Sequence, residues 1–72
     1  MTELHEYIVF LSGTFGNDAG DVVRVESTDD EGRVYYTDCY DRWCYMERNA
    51  KDIAIIEAAD LRQAKRKAEA LA

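Results

Sequence analysis

The fold of this chain is decided near its N-terminus by the stretch Leu-His-Glu-Tyr-Ile-Val-Phe-Leu-Ser, residues 4–12. Polar and apolar residues alternate at its start, whereas towards its end apolar residues occupy both faces of an extended chain. A strand with this pattern is buried on both sides, so it needs a central position and a second covering layer. We therefore expect residues 4–12 to form a central strand, with a helix or a curled sheet over its second face.

A hairpin is predicted to follow this strand. The stretches 21–28 and 33–40 are rich in valine, threonine and tyrosine, which is typical of strands. The residues between them, Asp29-Asp30-Glu31-Gly32, form a tight turn in which the glycine is available for a positive φ. Residues 13–20 contain three glycines and are predicted to be a turn throughout.

Residues 38–48 fit two different structures. As strands, they have a turn at Asp41-Arg42, followed by a fourth strand over residues 43–47. This pairing places Cys39 directly opposite Cys44, where the two thiols could form a cross-strand disulfide if their geometry allows it. As a helix, the region has one apolar face that carries Cys39, Trp43, Met46 and Ala50. The density of aromatic residues favours the strands.

The chain ends with a strand and a helix. Residues 53–58 are short and apolar, as expected of a last strand. Asp60 begins a helix over residues 60–71, and Gln63 completes a capping-box-like pair with it. The inward stripe of this helix is mostly alanine, so the helix can lie flat on a sheet. These elements predict an α+β fold in a single domain, residues 1–72: an antiparallel five-strand meander, flat or curled, with one C-terminal helix packed on the sheet.

Length and composition argue against several classes of protein. A chain of 72 residues leaves little room for a deep substrate cleft, so we expect a protein that is not an enzyme and uses no cofactor. The N-terminus is acidic where a signal peptide is basic, and no apolar stretch approaches the ~20 residues of a membrane span. Two cysteines are too few for a secreted disulfide scaffold, which predicts reduced, largely buried thiols and a cytoplasmic location.

Neither a metal site nor a nucleophilic site is indicated by the residue pattern. Cys39, Cys44 and His5 are fewer than the four ligands of a structural zinc. No motif supports a Cys-His nucleophile pair, for which a cysteine and His5 would have to meet. The glycines of residues 13–20 are not followed by the Gly-Lys-Ser/Thr ending of a phosphate-binding loop.

Charge is divided unevenly along the chain, whose net charge is −6. Residues 1–59 hold thirteen acids and five bases, a net of −8, whereas residues 60–72 hold two acids and four bases, a net of +2. An acidic surface repels phosphate, so direct nucleic-acid binding is disfavoured over most of the molecule. The alternative nucleic-acid-binding residues are Arg62, Lys65 and Arg66, three of the four bases in residues 60–72.

Aromatic and acidic residues cluster in the middle of the chain. Five of its eight aromatic residues lie within residues 35–45. Tyrosine and tryptophan are frequent hot-spot residues at protein interfaces, and acids in neighbouring turns suit a basic partner. The candidate partner-binding residues are Asp29, Asp30, Glu31, Asp38, Tyr40, Asp41 and Trp43.

Two parts of the chain resemble known families. About half of the chain resembles SH3-like small barrels in its strand order. The segments that carry this resemblance are Gly20-Asp21-Val22-Val23-Arg24-Val25, Gly32-Arg33-Val34-Tyr35-Tyr36, Trp43 and Asp52-Ile53-Ala54-Ile55-Ile56. This resemblance implies a curled five-strand sheet that binds peptides, proteins or nucleic acids. Residues 56–68, Ile-Glu-Ala-Ala-Asp-Leu-Arg-Gln-Ala-Lys-Arg-Lys-Ala, are similar to segments of small phage-encoded inhibitors, including some type I anti-CRISPR proteins, and of HicB-like antitoxins.

These features predict a non-enzymatic inhibitor, encoded by a phage or mobile element, that binds a host protein or nucleoprotein complex in the host cytoplasm. The alternative is a small regulatory module, SH3-like or antitoxin-like, that binds peptide or nucleic acid through the basic helix face. An exposed sheet edge could in addition pair two copies into a homodimer.

Overall fold

The computed structural model describes residues 3–14 and 16–71. Its elements are β1 (His5–Phe10), β2 (Val22–Arg24), β3 (Ser27–Thr28), β4 (Arg33–Thr37), β5 (Trp43–Glu47), β6 (Ile53–Ala58) and α1 (Leu61–Glu69). The α+β class and the C-terminal helix are confirmed. Residue 15, which belongs to the turn predicted over residues 13–20, lies outside the described residues.

The predicted single five-strand meander is wrong, because the described strands form two antiparallel sheets with the orders β2-β1-β6 and β3-β4-β5. The last strand returns to pair with β1. The predicted second strand is split into β2 and β3, one in each sheet. At the split, the Val25 N–H donates to the Glu6 carbonyl of β1, and the next N–H, that of Glu26, donates to the Tyr35 carbonyl of β4. The chain thereby passes from one sheet to the other.

The prediction that the first strand is central is confirmed, and its burial on both faces holds for residues 7–10; the strand is shorter than the predicted residues 4–12, and Leu11 is 48% exposed. On one face, Ile8 and Phe10 are fully buried with Val34 and Tyr36 from the second sheet. The rings of Phe10 and Tyr36 meet edge to face, with 5.5 Å between their centroids. On the other face, Tyr7 packs against buried alanines of β6 and α1. A helix and a second sheet therefore cover the two faces of β1.

The predicted helix cap is also confirmed. The Asp60 side chain accepts a hydrogen bond from the Gln63 N–H at 2.8 Å, and the Gln63 side chain accepts one from the Ala59 N–H at 2.8 Å. Ala64 and Ala68 are the buried residues of α1, so the helix axis approaches the first sheet closely. No helix in the described residues is long and apolar enough to cross a membrane.

An ion pair joins the two sheets at one end of the core. Arg48, which follows β5, places its guanidinium nitrogens 2.7 and 3.0 Å from the two carboxylate oxygens of Glu6 in β1. The hydrogen bond and the charge of Arg48 lower the pKa of Glu6, although burial opposes the shift. Glu6 also lies directly opposite Glu57 in the first sheet, so Arg48 offsets a repulsion between like charges.

Residues 38–48 take the strand interpretation, and the helix alternative is wrong. The predicted turn at Asp41-Arg42 is nevertheless one residue too short, because the N–H of Asp38 donates to the carbonyl of Arg42 and leaves a three-residue loop between them. Asp41 adopts a φ of 60° in this loop, a conformation that aspartate tolerates better than most residues. The predicted strand over residues 33–40 therefore ends at Thr37.

The longer loop changes which residues face each other. Tyr36 pairs with Cys44, and Thr37 pairs with Trp43, so the predicted opposition of Cys39 and Cys44 is wrong. Both thiols are free; that of Cys39 is exposed, contrary to the expected burial, and that of Cys44 is partly buried. The observed pairing is shifted by three residues from the predicted one, because the loop occupies residues 39–41 instead of Asp41-Arg42.

Alanine substitutions at two glycines test the turn between β3 and β4. Gly32 has a φ of 83°, and a Cβ there would meet no atom within 4 Å. We expect Gly32→Ala to lower the free energy of unfolding by roughly 1 kcal/mol, from backbone strain alone. Gly13 has equally open surroundings without a positive φ, so Gly13→Ala is the matched control. Urea unfolding followed by circular dichroism measures both, and equal effects of the two substitutions would contradict the turn conformation.

Candidate functional site

The outer face of the second sheet carries a row of exposed aromatic side chains. Residues directly opposite each other in an antiparallel pair share a face, and Tyr35 lies opposite Tyr45 while Thr37 lies opposite Trp43. The alternate residues Val34 and Tyr36 point into the core. Trp43 is 60% exposed and Tyr45 is 55% exposed. We call Tyr35, Trp43 and Tyr45 the aromatic face.

The three rings of the aromatic face support one another. Tyr35 is the middle ring, with its centroid 5.8 Å from that of Trp43 and the two planes only 13° apart. On its other side, the Tyr45 ring lies 5.8 Å away at 46°. Such contacts restrict the rotation of exposed side chains, because each ring limits the space open to its neighbour. The row is therefore a largely preformed surface.

A hairpin-loop carboxylate fixes one side of this row. One oxygen of Asp29 accepts the backbone N–H groups of Glu31 at 2.9 Å and of Arg33 at 3.0 Å. Its other oxygen accepts the Arg33 Nε at 2.6 Å and the Tyr35 hydroxyl at 2.8 Å. Burial opposes ionisation of Asp29, but these hydrogen bonds outweigh it and hold its pKa well below the usual range. The hydrogen bond to Asp29 raises the pKa of Tyr35, with burial adding to the shift.

Arg33 connects the same loop to the far end of the row. Its guanidinium carbon lies 5.5 Å from the centroid of the Tyr45 ring, and its Nη2 lies 3.0 Å from a carboxylate oxygen of Glu31. The aromatic face is thus bordered by a cation that is already paired with acids.

The loop between β4 and β5 is built around a second carboxylate in the same way. Asp38 is only 5% exposed. It accepts the backbone N–H groups of Tyr40 at 2.9 Å and of Arg42 at 3.0 Å, together with the Arg42 Nε at 2.9 Å. Burial would raise the pKa of Asp38, but the hydrogen bonds from Arg42 and Tyr40 dominate and lower it to about 2. Burial raises the pKa of the Cys44 thiol, which donates to Asp38 at 3.5 Å.

The two loops follow one sequence pattern, Asp-x-x-x-Arg, at residues 29–33 and 38–42. In both, the aspartate accepts the N–H groups two and four residues ahead and pairs with the arginine side chain. In both, the fourth residue has a positive φ, Gly32 in the first and Asp41 in the second. Sequence reasoning treated these aspartates as surface charges and missed the shared spacing, which was visible in the sequence.

The predicted partner-binding residues are only partly brought together. The loops that contain them lie at opposite ends of β4, so the acids do not form one patch. Asp29 and Asp38 are bound within their loops, whereas Asp30, Glu31 and Asp41 are exposed. Of the aromatic candidates, Trp43 belongs to the aromatic face, and Tyr40 is 65% exposed in the second loop, with the Arg42 guanidinium 5.1 Å from its ring.

Two members of the aromatic face, Tyr35 and Tyr45, were not among the predicted site residues. The signal for them was present in the alternation of the fourth strand, where Trp43 and Tyr45 are two residues apart and must share a face. Tyr35 joins them through the strand register, which depends on the loop length and could not be obtained without it.

The alternative residues Arg62, Lys65 and Arg66 are all exposed on α1. Their spacing of three and four residues places them on neighbouring turns of the helix. The helix packs on the first sheet, whereas the aromatic face belongs to the second. The structure therefore presents two separate candidate surfaces.

The described residues show no arrangement for metal binding, since no three His, Cys, Asp or Glu side chains come together to hold an ion. His5 lies in the first sheet, with its Nδ1 3.0 Å from the Arg24 Nη2, while Cys44 contacts Asp38 in the second sheet.

The surface beside α1 is concave. One cavity of about 510 Å³ is lined by Asp38, Cys39 and Lys65, among others. Asp38 is already bound to Arg42 and to two backbone amides, so its carboxylate is committed to the loop.

No family model matches this chain, and neither the curated proteins nor the solved structures compared with it give a match. The resemblances to SH3-like barrels and to small phage inhibitors stay predictions. The aromatic face and its surroundings therefore carry the functional argument.

The acid stability of the protein tests the role of Asp38. Because its folded-state pKa of about 2 lies below the ordinary 3.8, Asp38 contributes stability that is present above pH ~3.8 and is lost as the pH falls through ~2. We expect Asp38→Asn to melt at a lower temperature at pH 7 and to lose less stability than the wild type between pH 4 and pH 2. Thermal melts followed by circular dichroism across this range measure both effects.

Asp41→Asn is the control for this experiment, because it neutralises an exposed acid of the same loop and asparagine tolerates a positive φ equally well. We expect its melting temperature at pH 7 to stay close to that of the wild type. A fall in Asp38→Asn no larger than that in Asp41→Asn would mean that the buried carboxylate does not organise the loop.

Proposed function

We propose that this chain is a binding protein that docks its aromatic face onto a basic surface of another protein and catalyses no reaction. The observation that carries the proposal is the row of Tyr35, Trp43 and Tyr45, whose rings are ordered by mutual contacts although two of them are more than half exposed. None of the three belongs to the core cluster between the sheets or to the residues packed against it.

The aromatic face has the properties of an interface centre. Tyrosine and tryptophan contribute disproportionately to binding energy, because they bury large areas at a small cost in side-chain entropy. The contacts of Tyr35 with Trp43 and Tyr45 reduce this cost further, since the rings are ordered before a partner arrives.

The charge around the aromatic face favours a basic partner. Residues 1–59 have a net charge of −8, and Asp30 and Asp41 are exposed in the two hairpin loops, as is Glu47 at the end of β5. The protein's own arginines already lie over aromatic rings, Arg33 over Tyr45 and Arg42 over Tyr40. A partner that presents Lys or Arg would repeat these contacts and would gain from charge attraction.

The proposal includes the biological role predicted from the sequence. A small acidic protein that occupies the basic surface of a host nucleoprotein would exclude the nucleic acid that normally binds there. Inhibition of such a complex, by a protein encoded in a phage or mobile element, is consistent with this mode of action.

The second candidate is binding of nucleic acid or peptide through α1. It is supported by the exposure of Arg62, Lys65 and Arg66 on that helix. The net charge of −6 opposes it for nucleic acid. A mobility-shift assay with short duplex DNA and single-stranded RNA separates the two candidates, because only the second predicts binding that is lost in Arg66→Glu.

Side-chain truncation on the aromatic face tests the proposed function. The partner is first captured from a host lysate on the immobilised protein and is then purified. We expect Trp43→Ala and Tyr45→Ala each to weaken its binding about 30-fold, which corresponds to ~2 kcal/mol for a hot-spot residue. Isothermal calorimetry measures the affinity, and thermal melts check that the variants fold.

The matched control is the triple variant Arg62→Ala, Lys65→Ala, Arg66→Ala, which removes three exposed basic residues of α1 and keeps Lys67, whose Nζ donates to the Glu57 carbonyl. The proposal expects its affinity for the same partner to be unchanged, and expects binding of the wild type to weaken as salt is raised. Loss of binding in the triple variant, with full binding in both aromatic variants, would place the interface on the helix instead.

A further inference from the structure

The strand β5 is an edge strand whose outward backbone groups can be assigned. Among the described residues it pairs only with β4. The β4–β5 ladder is flanked by hydrogen bonds from the Asp38 N–H to the Arg42 carbonyl and from the Arg48 N–H to the Gly32 carbonyl. Because bonding direction alternates along an antiparallel strand, Cys44 and Met46 face β4. The backbone groups of Trp43, Tyr45 and Glu47 point the opposite way, out of the sheet edge.

These outward groups are open. Within residues 3–14 and 16–71, no backbone hydrogen bond outside the ladder uses the N–H groups of Trp43, Tyr45 and Glu47, or the carbonyls of the first two. The carbonyl of Glu47 accepts the N–H of Ala50 at 3.0 Å, which closes the edge at that end. Three donors and two acceptors therefore remain along one side of β5.

The β6 edge of the first sheet, one of the two edges of that sheet, shows how this protein covers such groups. By the same alternation, counted from the bond between the Leu11 N–H and the Asp52 carbonyl, β6 directs Ile53, Ile55 and Glu57 outward. There, the Ile53 N–H donates to the carbonyl of Ala50 at 3.4 Å, and the Lys67 Nζ donates to the Glu57 carbonyl at 2.6 Å. The β6 edge is thus protected at both ends, as natural sheet edges commonly are. The β5 edge has neither a lysine nor a proline.

We propose that β5 receives an added β-strand, an extended segment of the partner that carries Lys or Arg at alternate positions. This inference rests on the proposed function and names its mode of binding. Side chains on one side of the added strand would lie beside Trp43 and Tyr45, at the ~5 Å spacing of cross-strand pairs. Basic residues there would contact the aromatic face while the backbone of the partner fills the open edge.

The net charge of the chain favours a basic partner segment over a second copy of the chain as the strand added to β5. A homodimer paired through β5 would bring together two molecules of net charge −6, which repel each other. A basic segment is attracted instead and also provides cations for the aromatic rings.

The test uses a defined probe, an acetylated and amidated eight-residue peptide of alternating arginine and valine, with the glutamate–valine peptide as its charge control. Amide hydrogen exchange is measured by NMR on the full chain. We expect the arginine peptide to slow exchange at Trp43, Tyr45 and Glu47 at least about fivefold at saturation, because their N–H groups become bonded. The amide of Ile55, which points out of the β6 edge, should be unaffected.

A single-atom backbone change separates the edge from the side chains. Chemical synthesis replaces the amide of Tyr45 by an ester, which removes one N–H donor and keeps the tyrosine ring. We expect peptide affinity to fall about fivefold to tenfold, the effect of one hydrogen bond. The same replacement at Ile55 is the control and should leave affinity unchanged.

The outcomes distinguish the two proposals. If Trp43→Ala weakens binding while the ester at Tyr45 does not, the aromatic face binds its partner without strand addition, and this inference is wrong while the proposed function stands. If neither change matters, both are wrong. Slow exchange at Tyr45 without peptide that disappears on dilution would show a second copy on the edge, and would overturn the choice of a basic partner segment.

Discussion

The second sheet depends on two aspartates that hold β4 at both ends. Asp29 and Asp38 each accept two backbone amides and the side chain of the arginine four residues ahead. These bonds fix the length of each hairpin loop and therefore the register of the strands beside it. Side chains alternate between the faces, so a slip of one residue would turn Trp43 inward and Cys44 outward. The aromatic face exists because the loops exclude that slip.

The large apolar side chains are divided between a buried core, which stabilises the fold, and an exposed face. A domain of this size has a small core, and here it is formed where β1 meets the second sheet, with Ile8, Phe10 and Val34 fully buried. The helix covers the other face of β1 with alanines. Trp43 and Tyr45, two of the largest apolar side chains, take no part in either layer. On the proposed function, these two side chains serve binding instead of folding.

The sequence pattern predicted those elements that are determined by residues close together in the chain. The central position of the first strand, its double-sided burial at residues 7–10 and the Asp60 cap follow from periodicity and from residue type at fixed spacing. The split of residues 21–28 was not predictable in this way, because a strand that crosses between two sheets has the same local pattern as one that stays in a single sheet. The loop over residues 39–41 was missed because its positive φ falls on Asp41 instead of a glycine. Because the missed loop gave the wrong strand register, the prediction did not show that Tyr35 shares a face with Trp43.

The ion pairs that Asp29 and Asp38 form within their own loops also limit the electrostatic attraction that these two residues can offer to a partner. Asp29 and Asp38 are neutralised locally by Arg33 and Arg42, so they offer little to a partner at short range. On the proposed function, the net charge of −6 still acts beyond contact distance and accelerates the approach of a basic partner, an effect that salt screens over about 8–10 Å. Discrimination among such partners would then come from features with a fixed geometry. In the second sheet these are the ordered rings and, on the inference drawn from β5, its open backbone edge.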